Sequence, residues 1–314
     1  MLHSRNHDHH HGHGHGGHAH GHAPRSFGSA FALGIALNTG FVAVEAAFGV
    51  LGHSMALLAD AGHNLGDVLG LAVAWGAAVL SQRRPTARYT YGLRSSSILA
   101  ALVNAVVLLV AMGAILLEAA RRLAAPEPVA GKAVIIVAAI GILINGATAW
   151  LFASGRKGDI NIKGAFLHMA ADAAISLGVV LAGIAILVTG WLRLDPAVSL
   201  VIAATIVWGT WGLLRDSVNM SLAAVPPGIE PAEVHEFFER LPGVSHVHDL
   251  HIWAMSTTET ALTCHLVMPS GHPGDEFVLR IMSELRNRFG IRHATVQIET
   301  SEEVTCALAP EHVV

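Results

Sequence analysis

The sequence predicts an α-helical membrane protein with six transmembrane helices, followed by a small cytoplasmic α+β domain, and three observations carry that prediction. Apolar residues make up 53% of the 314-residue chain and charged residues only 13%, too few charges to cover a soluble domain of this length. About 20 predominantly apolar residues cross the hydrocarbon core of a bilayer, and runs of that kind occupy Phe27–Leu51, Met55–Leu80, Ile98–Leu117, Ala133–Phe152, Ala165–Val188 and Pro196–Leu214. Beyond Leu222 the texture changes to that of a charged, water-soluble chain.

Taken in order, residues 1–24 form a low-complexity tail in which ten histidines between His3 and His22 alternate irregularly with glycine. Such a segment cannot build a packed core. Its imidazoles would bind zinc, copper or nickel weakly and with little discrimination, so it reads as a disordered metal-collecting arm. Residues 25–222 carry the six spans. Lys and Arg concentrate in alternate connectors: Arg25, then Arg83, Arg84, Arg88 and Arg94, then Arg156, Lys157 and Lys163, then Arg215, against Arg121, Arg122, Lys132 and Arg193 on the other side. Cytoplasmic connectors hold the excess, so both termini are expected in the cytoplasm, in a bacterial inner membrane. The polar N-terminus does not have the apolar core of a cleavable signal peptide.

Val225 to Gly228 reads as a connector, and residues 226–300 as the soluble domain. Pro231–Leu241 is predicted as a helix with Pro in its first turn, Val244–Ala254 and Glu259–Met268 as strands, Asp275–Phe289 as an amphipathic helix and Ala294–Glu299 as a third strand. The order is αββαβ, and residues 301–314 form a tail. Cys264 and Cys306 both fall on the cytoplasmic side, where a disulfide is not expected.

Two places inside the apolar runs break the lipid-facing pattern. His63 and Asp67 in the second run, and His168 and Asp172 in the fifth, are each four residues apart, so on a helix each imidazole stands beside a carboxylate. Two such helices facing each other offer the donors of a tetrahedral divalent ion such as zinc. Ionisable groups inside a bilayer are costly and mark function. Asp60 falls on the same stripe as His63 and Asp67, whereas Asn38, Asn104 and Asn145 read as hydrogen-bonding glue between helices. The apolar run alone would leave His168 near the cytoplasmic edge, so the fifth helix is expected to start near Ile160. Gly62, Gly66, Ala170 and Ala171 are expected to let the two helices approach closely. In the soluble domain His248, His265 and Glu299 lie on different predicted strands, where a sheet could gather them, and Cys306 follows on the tail. His235, His246, His251, His272 and His293 add density without a fixed partner.

The stretch Leu57 to Leu71, the second pair at His168 and Asp172, and Val247-His248-Asp249-Leu250-His251-Ile252-Trp253 together resemble the cation diffusion facilitator family, in its zinc-exporting branch, over nearly the whole chain after Pro24. The resemblance implies a homodimeric metal/proton antiporter with six membrane helices and a metallochaperone-like cytoplasmic domain. It places the transport site at His63, Asp67, His168 and Asp172, and a cytoplasmic zinc site at His248, His265 and Glu299, with a C-terminal cysteine, here Cys306, sometimes added. Family members with aspartate at the first position tend to accept cadmium, so His63 implies a stronger zinc preference. There are departures. Arg83 to Ser95 contains no histidine where some bacterial relatives hold a second site, Ser154 to Gly164 is short where animal relatives have a His-rich loop, and Ala223 stands where many relatives have an acid.

Ligand chemistry supplies a mechanism. Zinc requires neutral imidazole and ionised carboxylate, so protons and metal compete for one site, and histidine titrates near pH 6.5. The predicted function is therefore zinc export in exchange for protons, with zinc as cargo and as regulator of the cytoplasmic domain. The expected partners are the bilayer and a second copy of the chain, with no nucleic acid, no small organic substrate and no enzymatic activity. A membrane-anchored metal sensor or buffer would not need charged pairs inside the bilayer; an exporter of cobalt, cadmium, iron or manganese would use a similar donor set. An intramembrane metalloprotease needs His-Glu-x-x-His, but Asn64 follows His63 and Met169 follows His168.

Overall fold

The computed structural model describes residues 29–81, 83–153, 160–301 and 306. The histidine-rich tail expected over residues 1–24 lies outside the described residues, as does residue range 302–314 apart from Cys306. Helices α1 (Ser29–Leu51), α2 (Met55–Ser81), α3 (Ser96–Ala124), α4 (Gly131–Ala153), α5 (Ile160–Thr189) and α6 (Leu194–Ser221) coincide with the six apolar runs. In α3, α4, α5 and α6 the apolar stretch is long enough to cross a membrane. The apolar sequence of α2 is interrupted by Asp60, His63 and Asp67.

The bundle is apolar outside and polar within. Trp150, Val188 and Trp208 are exposed on its surface while Asp60, Asp172, Ser176 and Ser199 are buried, an arrangement that suits lipid because the surrounding solvent cannot hydrogen-bond. α2 packs on α1, α3, α5 and α6, and α4 packs on α5. Gly62 and Gly66 differ from expectation: a Cβ on Gly62 would stand 2.4 Å from Met112 Cε, and one on Gly66 2.8 Å from Leu108 Cδ2. These glycines admit α3, not α5. At the end of the bundle where α2 begins, Asp195 of α6 caps α2. Its carboxylate accepts hydrogen bonds from the Ser54 hydroxyl and from Met55 N at 2.6 Å, satisfying first-turn amides that have no partner in their own helix. Arg122 of α3 donates to His53 O at 2.8 Å and so ties the same turn to α3.

The C-terminal part has the expected order, with α7 (Pro231–Glu239), β1 (His246–Ala254), β2 (Thr260–Val267), α8 (Asp275–Phe289) and β3 (Ile291–Glu299). The sheet order is β1-β2-β3, with β1 antiparallel and β3 parallel to β2. Val234 and Phe238 of α7 and Phe277, Ile281 and Leu285 of α8 bury one face against Leu262, Leu266 and Ile291. Acids in the first turn of α8, arginines in its last, and left-handed Gly290 after it terminate the helix in agreement with its dipole.

The domains meet between the α2–α3 connector and the β1–β2 hairpin. Arg94 Nη1 lies 2.7 Å from Glu259 Oε2. Ser95 Oγ donates to Met255 O at 3.1 Å, and Thr257 N donates to Ser97 Oγ at 3.1 Å. Ala223 lies beside this seam, lining one cavity together with Ser95, Trp253 and Met255.

Candidate metal centres

Starting α5 at Ile160 brings its His/Asp pair to the level of the pair on α2. The four side chains alternate around a ring. His63 Nε2 lies 2.9 Å from Asp172 Oδ1 and 3.9 Å from Asp67 Oδ2; His168 Nε2 lies 3.3 Å from Asp67 Oδ2 and 3.7 Å from Asp172 Oδ2. Donor atoms about 2.0–2.2 Å from a tetrahedral zinc stand roughly 3.3–3.6 Å apart, and the observed separations bracket that span. His63, Asp67 and Asp172 form the tighter cluster, each offering one donor atom within 4.8 Å of the others. His168 stands at the rim, exposed, whereas Asp172 is only 1% exposed. An ion entering from the His168 side would meet two carboxylates that already have opposite-charge or dipolar partners.

Asp60 does not join this ring, although the sequence put it on the same stripe. Its Oδ2 accepts from Ser176 Oγ of α5 at 3.0 Å. On the far side Asn64 Nδ2 donates to Glu45 Oε2 of α1 at 2.9 Å. Glu45 was not singled out by sequence reasoning; the available signal was a lone acid in the run Phe27–Leu51. The expected amide glue is not seen at two atoms, since buried Asn104 Oδ1 and Asn145 Nδ2 have no hydrogen-bond partner.

The second centre is built by strand register. His248 and His265 are cross-strand partners on β1 and β2, and Glu299 ends β3 beside them. Glu299 reaches both rings, with Oε2 3.2 Å from His248 Nε2 and Oε1 2.9 Å from His265 Nδ1. Cys306 Sγ lies 3.6 Å from His265 Nδ1. One donor atom from each of the four falls within 4.8 Å of the rest. Partial burial opposes charge on Glu299, but hydrogen bonds from His248, Cys306 and His265 hold its carboxyl below the usual carboxylate range. Cys264 is different: burial, aided by the negative charge of Asp249, pushes its thiol up to about 12, and it serves the core.

Asp249 is the residue of this centre that the sequence did not reveal. A bulge in β1 between His248 and His251 places it at φ 52°, a left-handed conformation that Asp tolerates better than most residues. Its carboxylate thereby lies 3.4 Å from His265 Nε2 and 2.8 Å from His251 Nε2. His246 stacks on His248 beside this centre, with ring centroids 5.9 Å apart, and the other histidines of the domain are spent elsewhere. His235 pairs with Glu239 at 3.7 Å, His272 Nδ1 accepts from Gly274 N at 3.0 Å, and His293 meets Tyr91 edge to face.

Comparison with known proteins agrees with this division of the chain. Residues 31–220 match the cation efflux transmembrane domain and residues 226–301 the cation efflux protein cytoplasmic domain. The zinc transporter ZitB of Escherichia coli is 36% identical over 271 residues, covering 86% of this chain and 86% of ZitB. The metal cation efflux system protein CzcD of Cupriavidus metallidurans is 35% identical, with 85% of each chain covered. The cadmium, cobalt and zinc/H(+)-K(+) antiporter of Bacillus subtilis is 34% identical, covering 83% of this chain and 86% of the relative. Among solved structures, the metal-bound C-terminal domain of the CzcD transporter is 36% identical and covers 23% of this chain and 99% of that one, with a TM-score of 0.22. With both domains matched in order and a paired His/Asp cluster inside the helical bundle, the chain belongs to the cation efflux, or cation diffusion facilitator, family, alongside relatives of its zinc-exporting branch, and is a membrane-embedded cation transporter rather than an enzyme.

Proposed function

We propose that this chain exports zinc from the cytoplasm in exchange for protons, with His63, Asp67, His168 and Asp172 as the transport site. The observation that carries the reading is the alternating ring of two imidazoles and two carboxylates between α2 and α5, closed around nearly inaccessible Asp172. Metal binds when both imidazoles are neutral and both carboxylates ionised; protons arriving at the same atoms displace it. Alternate opening of one such site to the two sides couples the two flows. Moving one charge against 100 mV involves about 2.3 kcal/mol, so exchange of two protons per zinc would be indifferent to the potential.

The cytoplasmic residues His248, His265 and Glu299, joined by Cys306, supply a second, water-accessible zinc site that senses cytoplasmic zinc and favours a homodimer. Their donors are spaced for a tetrahedral ion, and thiolate plus imidazole is a donor set that zinc accepts well. The domain boundaries that go with this division of labour are a collecting tail over 1–24, a transport domain over 25–222, a regulatory domain over 226–300 and a tail over 301–314. Both termini lie in the cytoplasm, with the protein in a bacterial plasma membrane. An impermeant reagent should therefore modify a cysteine placed in α8 in inside-out vesicles and spare it in right-side-out ones. A related reading is export of cobalt or cadmium as well, favoured by the names of the Bacillus subtilis and Cupriavidus metallidurans relatives and by a mixed nitrogen and oxygen donor set that several divalent ions accept.

The test is metal-by-metal flux in proteoliposomes under an imposed proton gradient. Wild type should carry zinc and Asp172→Ala should reduce zinc flux to the background of empty vesicles. Undiminished flux in Asp172→Ala would overturn the site, and flux indifferent to the gradient would overturn the exchange.

A further inference from the structure

One helical turn from the ring of ligands, toward the end of the bundle where Ser54 and Asp195 lie, α1, α2 and α5 enclose two more carboxylates. Glu45 and Asp60 are both 0% exposed. Each has one oxygen satisfied, Glu45 Oε2 by Asn64 and Asp60 Oδ2 by Ser176. The other oxygens, Glu45 Oε1 and Asp60 Oδ1, are buried without a hydrogen-bond partner, and the two carboxyl groups are within hydrogen-bonding reach of each other. Two neighbouring carboxyl groups, each with one orphaned acceptor, lack a donor. Buried unsatisfied atoms are rare enough to call for an explanation, and two neighbouring carboxylates in apolar surroundings cannot both be ionised. A single shared proton answers both requirements, as in paired catalytic carboxylates.

Among the described residues no lysine or arginine forms an ion pair with Glu45 or Asp60. On α2 the ionisable neighbours are His63 and Asp67, and on α5 His168 and Asp172. α4, which packs on α1, carries Lys132 at one end and no other charge, while the charges of α3 and α6 sit at their ends, Glu118, Arg121, Arg122 and Asp195 at one and Arg215 and Asp216 at the other. Among the described residues no hydrogen bond joins Glu45 or Asp60 to the four ligands; the links are through Asn64, next in sequence to His63, and Ser176, one turn from Asp172.

We propose that Glu45 and Asp60 share one proton in the metal-free transporter, release it when metal occupies the neighbouring site, and regain it when the metal leaves. The pair is then a proton-coupling element separate from the metal ligands. The step is a simple dissociation: the O–H bond of the shared carboxyl breaks, the proton goes to water, the pair keeps the electron pair as a second negative charge, and nothing is oxidised. Its cause is a divalent ion arriving about one helical turn, roughly 5.4 Å, away, which favours the ionised form of any carboxyl near it. The inference rests on the proposed transport site, and the experiment separates the two.

Infrared difference spectra of the full-length wild-type protein in detergent, without and with zinc, should show loss of a protonated-carboxyl carbonyl band, and Glu45→Gln and Asp60→Asn should each abolish that loss. Calorimetric zinc titrations in buffers of different ionisation enthalpy should show about one fewer proton released per zinc in Glu45→Gln than in wild type. The contribution of the transport site is isolated in each case as the difference made by adding Asp172→Ala. No zinc-dependent carboxyl band in wild type, or a band loss and proton count that Glu45→Gln leaves unchanged, would overturn the proposal. If Asp172→Ala alters neither zinc binding nor proton release, it is the transport site that fails. The wild-type spectrum decides even if a variant does not fold.

Discussion

Glu299 illustrates how a single side chain ties a candidate metal centre to protonation. Its carboxylate accepts from two imidazoles on two other strands, which holds its carboxyl below the usual range despite partial burial. A group whose folded value is depressed stabilises the fold fully above its unfolded value, about 4.3 for glutamate, and loses that contribution as the pH falls through the folded value. With metal chelated, Glu299→Gln should therefore melt below wild type at pH 7, and the gap should narrow as the pH falls below about 4 and close once it is below the folded value. A gap that persisted in acid would mean the carboxylate acts by packing alone. Asp172 works by the opposite circumstance. It is sealed from water, so its neighbours alone compensate its charge, and that is why removing it is expected to silence the proposed transport site.

Among the elements, glycines decide how near helices come. A Cβ at Gly62 would clash with Cε at the free end of Met112, which can swing aside, whereas one at Gly183 of α5 would stand 2.8 Å from Ile135 Cγ1 on α4, close to the backbone of a branched side chain. Gly62→Ala should thus change stability by less than about 1 kcal/mol, because the helix propensity of alanine offsets the contact. Gly183→Ala should lose about 1–3 kcal/mol to overpacking. Thermal melting in detergent ranks the two, and equal losses would contradict the distinction. The cap on α2 is testable in the same way. Asp195→Ala removes the acceptor for Met55 N and the Ser54 hydroxyl, for an expected loss of about 1–2 kcal/mol.

For the whole molecule, the junction between the membrane helices and the C-terminal sheet matters most, because a metal bound at the second candidate centre would act on the helices through it. The seam is short and wet. The Arg94 and Glu259 side chains remain 37% and 28% exposed, and such pairs contribute at most about 1 kcal/mol. A double-mutant cycle of Arg94→Ala with Glu259→Ala should give a coupling below that and weaker still in high salt. A coupling of several kcal/mol would show that this pair holds the domains together. The backbone hydrogen bonds made by Ser95 and Ser97 are independent of ionic strength to first order, so they should keep the contact when the charge pair is screened.

The sequence by itself determined the elements. Apolar run length located the six helices, turn residues and alternation located α7, the strands and α8, and i to i+4 spacing placed an imidazole beside a carboxylate on each of two helices. It also located the starting residue of α5, because the two pairs must share one level in the bundle. What only the tertiary structure decided was which partner each inward face meets. Gly62 and Gly66 turned out to receive α3, and Asp60 turned away from His63 toward Ser176 and Glu45, since a helix in a bundle has several neighbours and its sequence period specifies an inward face without naming what lies opposite. Asp249 was hidden for a related reason. Strict alternation assigns every strand residue a side, but the bulge in β1 re-aims one residue, and a bulge arises from pairing with another strand, which a sequence read along its own length does not contain.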